Sequence, residues 1–132
     1  MPHVRIEILE GRSVDERRQL LQAVHDALVE AFEIPDEDRT QRIVEYDPIN
    51  FEIPPGKSDR YTLIEITAFP GRSRSAKAAL YKAIVQRLGD LGHLGVDAAD
   101  VSIVVHEPPM ENWGIRGGRP ADEVDLGYRL DI

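Results

Sequence analysis

Ile6-Glu7-Ile8-Leu9-Glu10-Gly11-Arg12-Ser13 and Ile64-Glu65-Ile66-Thr67-Ala68-Phe69-Pro70-Gly71-Arg72-Ser73 are two versions of one phrase. In each, Ile-Glu-Ile leads to Gly-Arg-Ser. The residues that follow agree at a constant spacing: Leu20 with Leu80, Leu21 with Tyr81, Ala23 with Ala83, Val24 with Ile84, and Leu28 with Leu88. The chain is therefore a duplication, and not a solenoid, which needs several copies to bury its stacked faces. The two copies span residues 1–46 and 60–106 of a single domain, 1–132, with a tail over 107–132.

Each copy reads as strand, helix, strand. Val4, Ile6 and Ile8 alternate with His3, Arg5 and Glu7, the period of a strand with one wet face. Ser13 is predicted to cap a helix, with Glu16 completing a capping box. Leu20, Leu21, Val24 and Leu28 then fall on one side of that helix. It stops before Pro35, and a second strand follows around Gln41–Tyr46. In the other copy a strand over Tyr61–Ala68 leads to a helix capped by Ser73, with Leu80, Ile84 and Leu88 on one stripe. Gly89, Gly92 and Gly95 break it. The nearly all-apolar Val101–His106 reads as a buried central strand.

The predicted fold is α/β (α+β): two right-handed β-α-β units forming a four-stranded sheet with both helices on one face. The other face, with residues such as Val104, needs a cover, and self-association supplies one. This layout alone fits a ferredoxin-like ligand-binding module without catalysis equally well.

Composition narrows the chemistry. The 132 residues are 42% hydrophobic and 30% charged, as in ordinary globular domains. There is no cysteine, which excludes disulfides, thiolate metal sites and a cysteine nucleophile. A net charge of −8 argues against nucleic acid, which needs clustered Lys and Arg. No apolar run is long enough to span a membrane and no signal-peptide core precedes the first strand, so a cytoplasmic location is expected. Against the acidic average, Arg72 with Arg74 and Arg116 with Arg119 are local positive charge of the kind a small anionic substrate needs.

Several motifs fail. Pro55-Gly56-Lys57-Ser58 resembles the end of a phosphate-binding loop, but its first glycine would fall at Phe51. His3, His25, His93 and His106 have no metal-ligand spacing, and no serine sits in a nucleophile elbow. What remains is Pro2. Removal of Met1 leaves a secondary amine at the head of a strand, where a proline costs the ladder nothing. Such an amine is a base when neutral and an acid when cationic. If Met1 is kept, the nitrogen is an amide and neither chemistry is open to it.

A strand that begins at Pro2, a duplicated β-α-β of this size and Gly-Arg-Ser before each helix resemble the tautomerase superfamily over nearly the whole chain. Ser58–Ile66, Gly71-Arg72 and Trp113-Gly114-Ile115-Arg116-Gly117 look like its bacterial branch with longer subunits. His25 and the segment Ala31–Gln41 look like malonate semialdehyde decarboxylase. The resemblance implies a homotrimer with sites near the subunit interfaces, and no metal or organic cofactor. It makes Pro2 the catalytic proline and Asp38 the counterpart of the decarboxylase's catalytic aspartate. Asp38 as a capping residue is the competing reading. Arg72 matches one of two substrate-binding arginines. The decarboxylase's Arg-Pro-Arg reads Phe69-Pro70-Gly71-Arg72 here, which leaves Arg74 as a possible substitute. Trp113 reads either as a wall of the substrate pocket or as a core or interface aromatic. The expected activity is enol–keto tautomerisation of a small 2-oxo acid. The alternative is decarboxylation or hydration of a 3-oxo acid by a cationic Pro2.

Overall fold

A computed structural model of the chain describes residues 2–132. Its elements run β1 (Pro2–Leu9), α1 (Val14–Phe32), β2 (Thr40–Tyr46), β3 (Thr62–Ala68), α2 (Arg74–Gly89) and β4 (Val101–His106). The tail adds a small hairpin, β5 (Gly114–Ile115) with β6 (Arg119–Pro120). The main sheet has the order β2-β1-β3-β4. β1 is parallel to β2 and β3 to β4, while β1 and β3 pair antiparallel at the centre. The two copies are thus related by a pseudo-twofold between β1 and β3. In each, the two strands are direct neighbours. That separates the fold from the ferredoxin-like arrangement, in which another strand splits the βαβ pair.

Local chemistry explains the elements. Ser13 and Ser73 hold extended backbone, and their hydroxyls accept from the Glu16 and Ala76 amides, capping α1 and α2. The reciprocal half of the expected capping box does not form, because the Glu16 carboxylate turns to Arg60, 2.5 Å away. Val4, Ile6 and Ile8 of β1 and Ile64 and Ile66 of β3 lie against Leu20, Val24, Leu28, Leu80, Ile84 and Leu88, all essentially fully buried. His25 is buried within α1, and its Nε2 lies 3.2 Å from Asp36 Oδ1, which ties the segment before β2 to the helix.

The structure corrects one strand. Val101–His106 is not central but an edge strand, paired only with β3. Its residues are partly covered and Val104 is 40% exposed. The apolar run carries two meanings: Val101, Ile103 and Val105 pack on the core, whereas Val104 faces outward with Ser102 and His106. The sheet's uncovered face is mostly polar, with His3, Arg5, Glu7, Glu65 and Thr67. No described helix is long and apolar enough to cross a membrane.

Asp100, just before β4, holds the linker. It accepts from the Ser58 hydroxyl at 2.5 Å and from the Ser58 amide at 2.9 Å. These bonds hold its carboxyl below the usual aspartate range. A depressed folded pKa gives stability that is present above the unfolded value and lost as pH falls through the folded one. Asp100→Asn is therefore expected to lower the melting temperature near neutral pH and to flatten its acid limb below about pH 4. Thermal melts across pH check it, and parallel curves for the two proteins would refute it.

Candidate active site

The sheet register decides what meets what. Pro2 lies opposite Ala68, His3 opposite both Thr40 and Thr67, and Thr67 opposite His106. The head of β1, the approach to β2, the exit of β3 and the exit of β4 therefore share one end of the sheet. The tail crosses the same end. Gly71 makes this crossing possible. Its φ is 132°, and an added Cβ would stand 3.1 Å from Leu130. Beyond it the Ser73 amide donates to the Ile132 carbonyl at 2.8 Å.

A cavity of about 560 Å³ opens at this end, within the size range of small-molecule sites. Asp38, Phe69, Ile115, Arg116, Leu126 and Tyr128 are among the residues that line it. Most of the wall is apolar. Burial and the neighbouring Asp38 raise the Tyr128 phenol above its ordinary range, so it stays protonated and able to donate.

The sequence-derived candidates are placed as follows. Asp38 lines the cavity, partly exposed. Pro2 is buried at the head of β1, hydrogen-bonding register with Ala68 setting it beside Phe69, but it is not among the lining residues. Arg72 is only 4% exposed. Its guanidinium sits 4.7 Å over the Phe32 ring and donates to the Phe69 carbonyl at 3.3 Å. The Tyr128 phenol also interacts with this guanidinium. Burial pushes its pKa down, opposed by Tyr128. Arg74 is the first residue of α2, exposed and outside the cavity wall. Trp113 is 8% exposed and stands behind the wall. Its ring meets Phe69 at 4.7 Å and His3 at 5.4 Å, and its Nε1 donates to the Pro108 carbonyl at 3.2 Å. Burial and Arg42 push the His3 imidazole down, which leaves it neutral at neutral pH.

Sequence reasoning passed over Phe69 and Tyr128 as site residues, and marked Arg116 only as local positive charge suited to an anionic substrate, without a place in the fold. The clue for Arg116 is its position before Gly117-Gly118 at a hairpin tip. Tyr128 and Leu126 lie in an irregular tail without periodicity, where no sequence signal marks them.

The opposite end of the sheet is instructive. Ile6 matches Ile64, so Arg60 stands in the second copy where Pro2 stands in the first. Arg60 is tied to Glu16 and to the Leu94 carbonyl at 2.8 Å, and Arg12 donates to the Arg60 carbonyl at 2.6 Å and to Thr62 Oγ1 at 2.9 Å. The backbone nitrogen of Arg60 is an amide. Only the Pro2 end can present an amine.

A small α+β chain with a proline at the head of its central strand and an apolar cavity beside it defines a class, and comparison with known proteins agrees. The chain belongs to the tautomerase family: two family models described as tautomerase enzymes match residues 38–116 and 2–58. The probable tautomerase YusQ of Bacillus subtilis strain 168 is 30% identical over 124 residues, covering 90% of this chain and 96% of that protein. The FG41 malonate semialdehyde decarboxylase, solved inhibited by 3-bromopropiolate, superposes with a TM-score of 0.80 at 30% identity, over 94% of this chain and 98% of that one. A fused 4-OT symmetric trimer gives 0.77 at 27% identity, over 90% and 95% of the two chains.

Proposed function

We propose that the protein is a Pro2-dependent isomerase that interconverts the enol and keto forms of a small 2-oxo acid, without metal or organic cofactor, as a cytoplasmic homotrimer. The observation that carries this reading is the register of β1. It brings the one nitrogen that processing can turn into an amine to the end of the sheet where the cavity opens. Once freed, a neutral Pro2 amine takes the hydroxyl proton of the enol and returns a proton to carbon as the carbonyl forms. Apolar surroundings and the buried Arg72 both favour the neutral base. Arg72 and Arg74 add positive charge to the same end of the sheet. The trimer is supported by the fused 4-OT likeness and by the uncovered sheet face.

A second reading, decarboxylation or hydration of a 3-oxo acid, is favoured by one observation: Asp38 lines the cavity. A carboxylate near the amine would keep it cationic, and the likeness to a malonate semialdehyde decarboxylase points the same way. One experiment separates the two. Protein shown by mass spectrometry to begin at Pro2 is assayed for loss of enol absorbance with a 2-hydroxy-2-enoate, and for CO₂ release from a 3-oxo acid. Rapid ketonisation with little CO₂ is expected. CO₂ release without ketonisation would transfer the assignment to the lyase.

A further inference from the structure

Among the described residues, Arg116 is the only cation that lines the cavity, and it is held there against its backbone preference. Its φ is 46°, in the left-handed region that a non-glycine residue seldom enters. Gly117 and Gly118 follow at 84° and 91°, so the whole turn between β5 and β6 is left-handed. A third glycine would fit this turn with less strain. Backbone strain of this kind persists where the surrounding structure imposes it, and it clusters at ligand sites.

The guanidinium is fixed from behind. Nη1 donates to the Asp125 carbonyl at 2.6 Å and Nη2 lies 3.5 Å from the Leu126 carbonyl. Those bonds use two of five N–H donors. Among the described residues no carboxylate pairs with it, although Glu37 and Asp38 line the same cavity. Between these charges the wall is apolar, formed by Phe69, Ile115, Leu126 and the Tyr128 ring. Arg72 is only 4% exposed and stands outside the lining, so among the described residues Arg116 is the cation that the cavity offers.

From this we infer that Arg116 anchors the substrate carboxylate and selects monocarboxylic 2-oxo acids with a bulky apolar substituent over dicarboxylic ones. A guanidinium binds a carboxylate through two parallel charge-assisted bonds. The apolar walls bury the substituent. A second carboxylate would meet Glu37, and that repulsion is what rejects a diacid.

The choice of substrate rests on the tautomerase reading, but the carboxylate anchor can be tested without chemistry. Calorimetry with 3-phenylpropanoate, an unreactive monocarboxylate, is expected to show binding to the wild type that Arg116→Ala weakens about 10- to 100-fold. Arg116→Lys should restore part of it. Arg116→Gly should lose the same affinity while melting within about 4 °C of wild type, which separates the anchor from a role in folding. In the ketonisation assay, Arg116→Ala should place most of its loss in KM. The wild type should prefer an aryl-substituted monoacid to a diacid of the same length by about tenfold or more in kcat/KM. No binding of 3-phenylpropanoate to the wild type, equal binding by Arg116→Ala, or preference for the diacid would overturn the inference. Binding that depends on Arg116 in a protein that ketonises neither acid would uphold the anchor and bring down the tautomerase reading instead.

Discussion

Inserting a leucine between Met1 and Pro2 is expected to reduce turnover by about 10²- to 10⁴-fold, the contribution of a positioned acid–base group. The insertion keeps the Pro2 nitrogen inside a peptide bond, where it has no lone pair available for protons. The hydrophobic core is left in place: β1 retains its pairing with β2 and β3, and its core residues Val4, Ile6 and Ile8 are unchanged. The melting temperature should therefore stay within a few degrees of wild type. Pro2→Ala is the companion variant. Its amine survives as a more mobile primary amine, so a smaller loss is expected. Steady-state rates and thermal melts on the three proteins check both statements. Unchanged turnover after the insertion would remove Pro2 from the mechanism.

Trp113→Ala is expected to have the largest effect on stability, about 3–5 kcal/mol. The indole joins Phe69 and Ala121 in a small second core that fastens the tail to the end of the sheet. Truncation would leave a void between Phe69 and His3 and orphan the Pro108 carbonyl. Phe69 also lines the cavity, so activity should fall with stability. Trp113→Phe keeps most of the packing and should recover more than half of the loss. Urea unfolding of both variants measures it. A loss below about 1 kcal/mol for Trp113→Ala, the scale of a surface substitution, would show that this second core does not hold the tail.

The two stability-bearing features differ in how legible they were. The repeated Ile-Glu-Ile and Gly-Arg-Ser segments disclosed both β-α-β units, because core strands and capped helices obey fixed periods. Ser13 and Ser73 cap as their spacing indicates. Val101–His106 misled, since an apolar run reads the same in an edge strand that packs one face and in a central one buried on both. Asp38 was visible through a local motif, and Pro2 through its position. The rest of the cavity was not. Phe69 lines it because of where β3 ends, and Tyr128 and Arg116 because of how an irregular tail returns across the sheet. Such placement depends on tertiary contacts such as Leu130 against Gly71, which no periodicity records. Trp113 stood at the boundary: its burial was open to two readings, and the structure sets it one layer behind the cavity wall.

The central claim is the state of one nitrogen. An NMR titration of protein labelled with ¹⁵N-proline, beginning at Pro2, measures it directly. The Pro2 nitrogen is expected to titrate clearly below about pH 7, as a neutral base does at physiological pH. A value near about 9 would mean a cationic acid governed by Asp38, and would contradict the tautomerase mechanism in favour of the lyase.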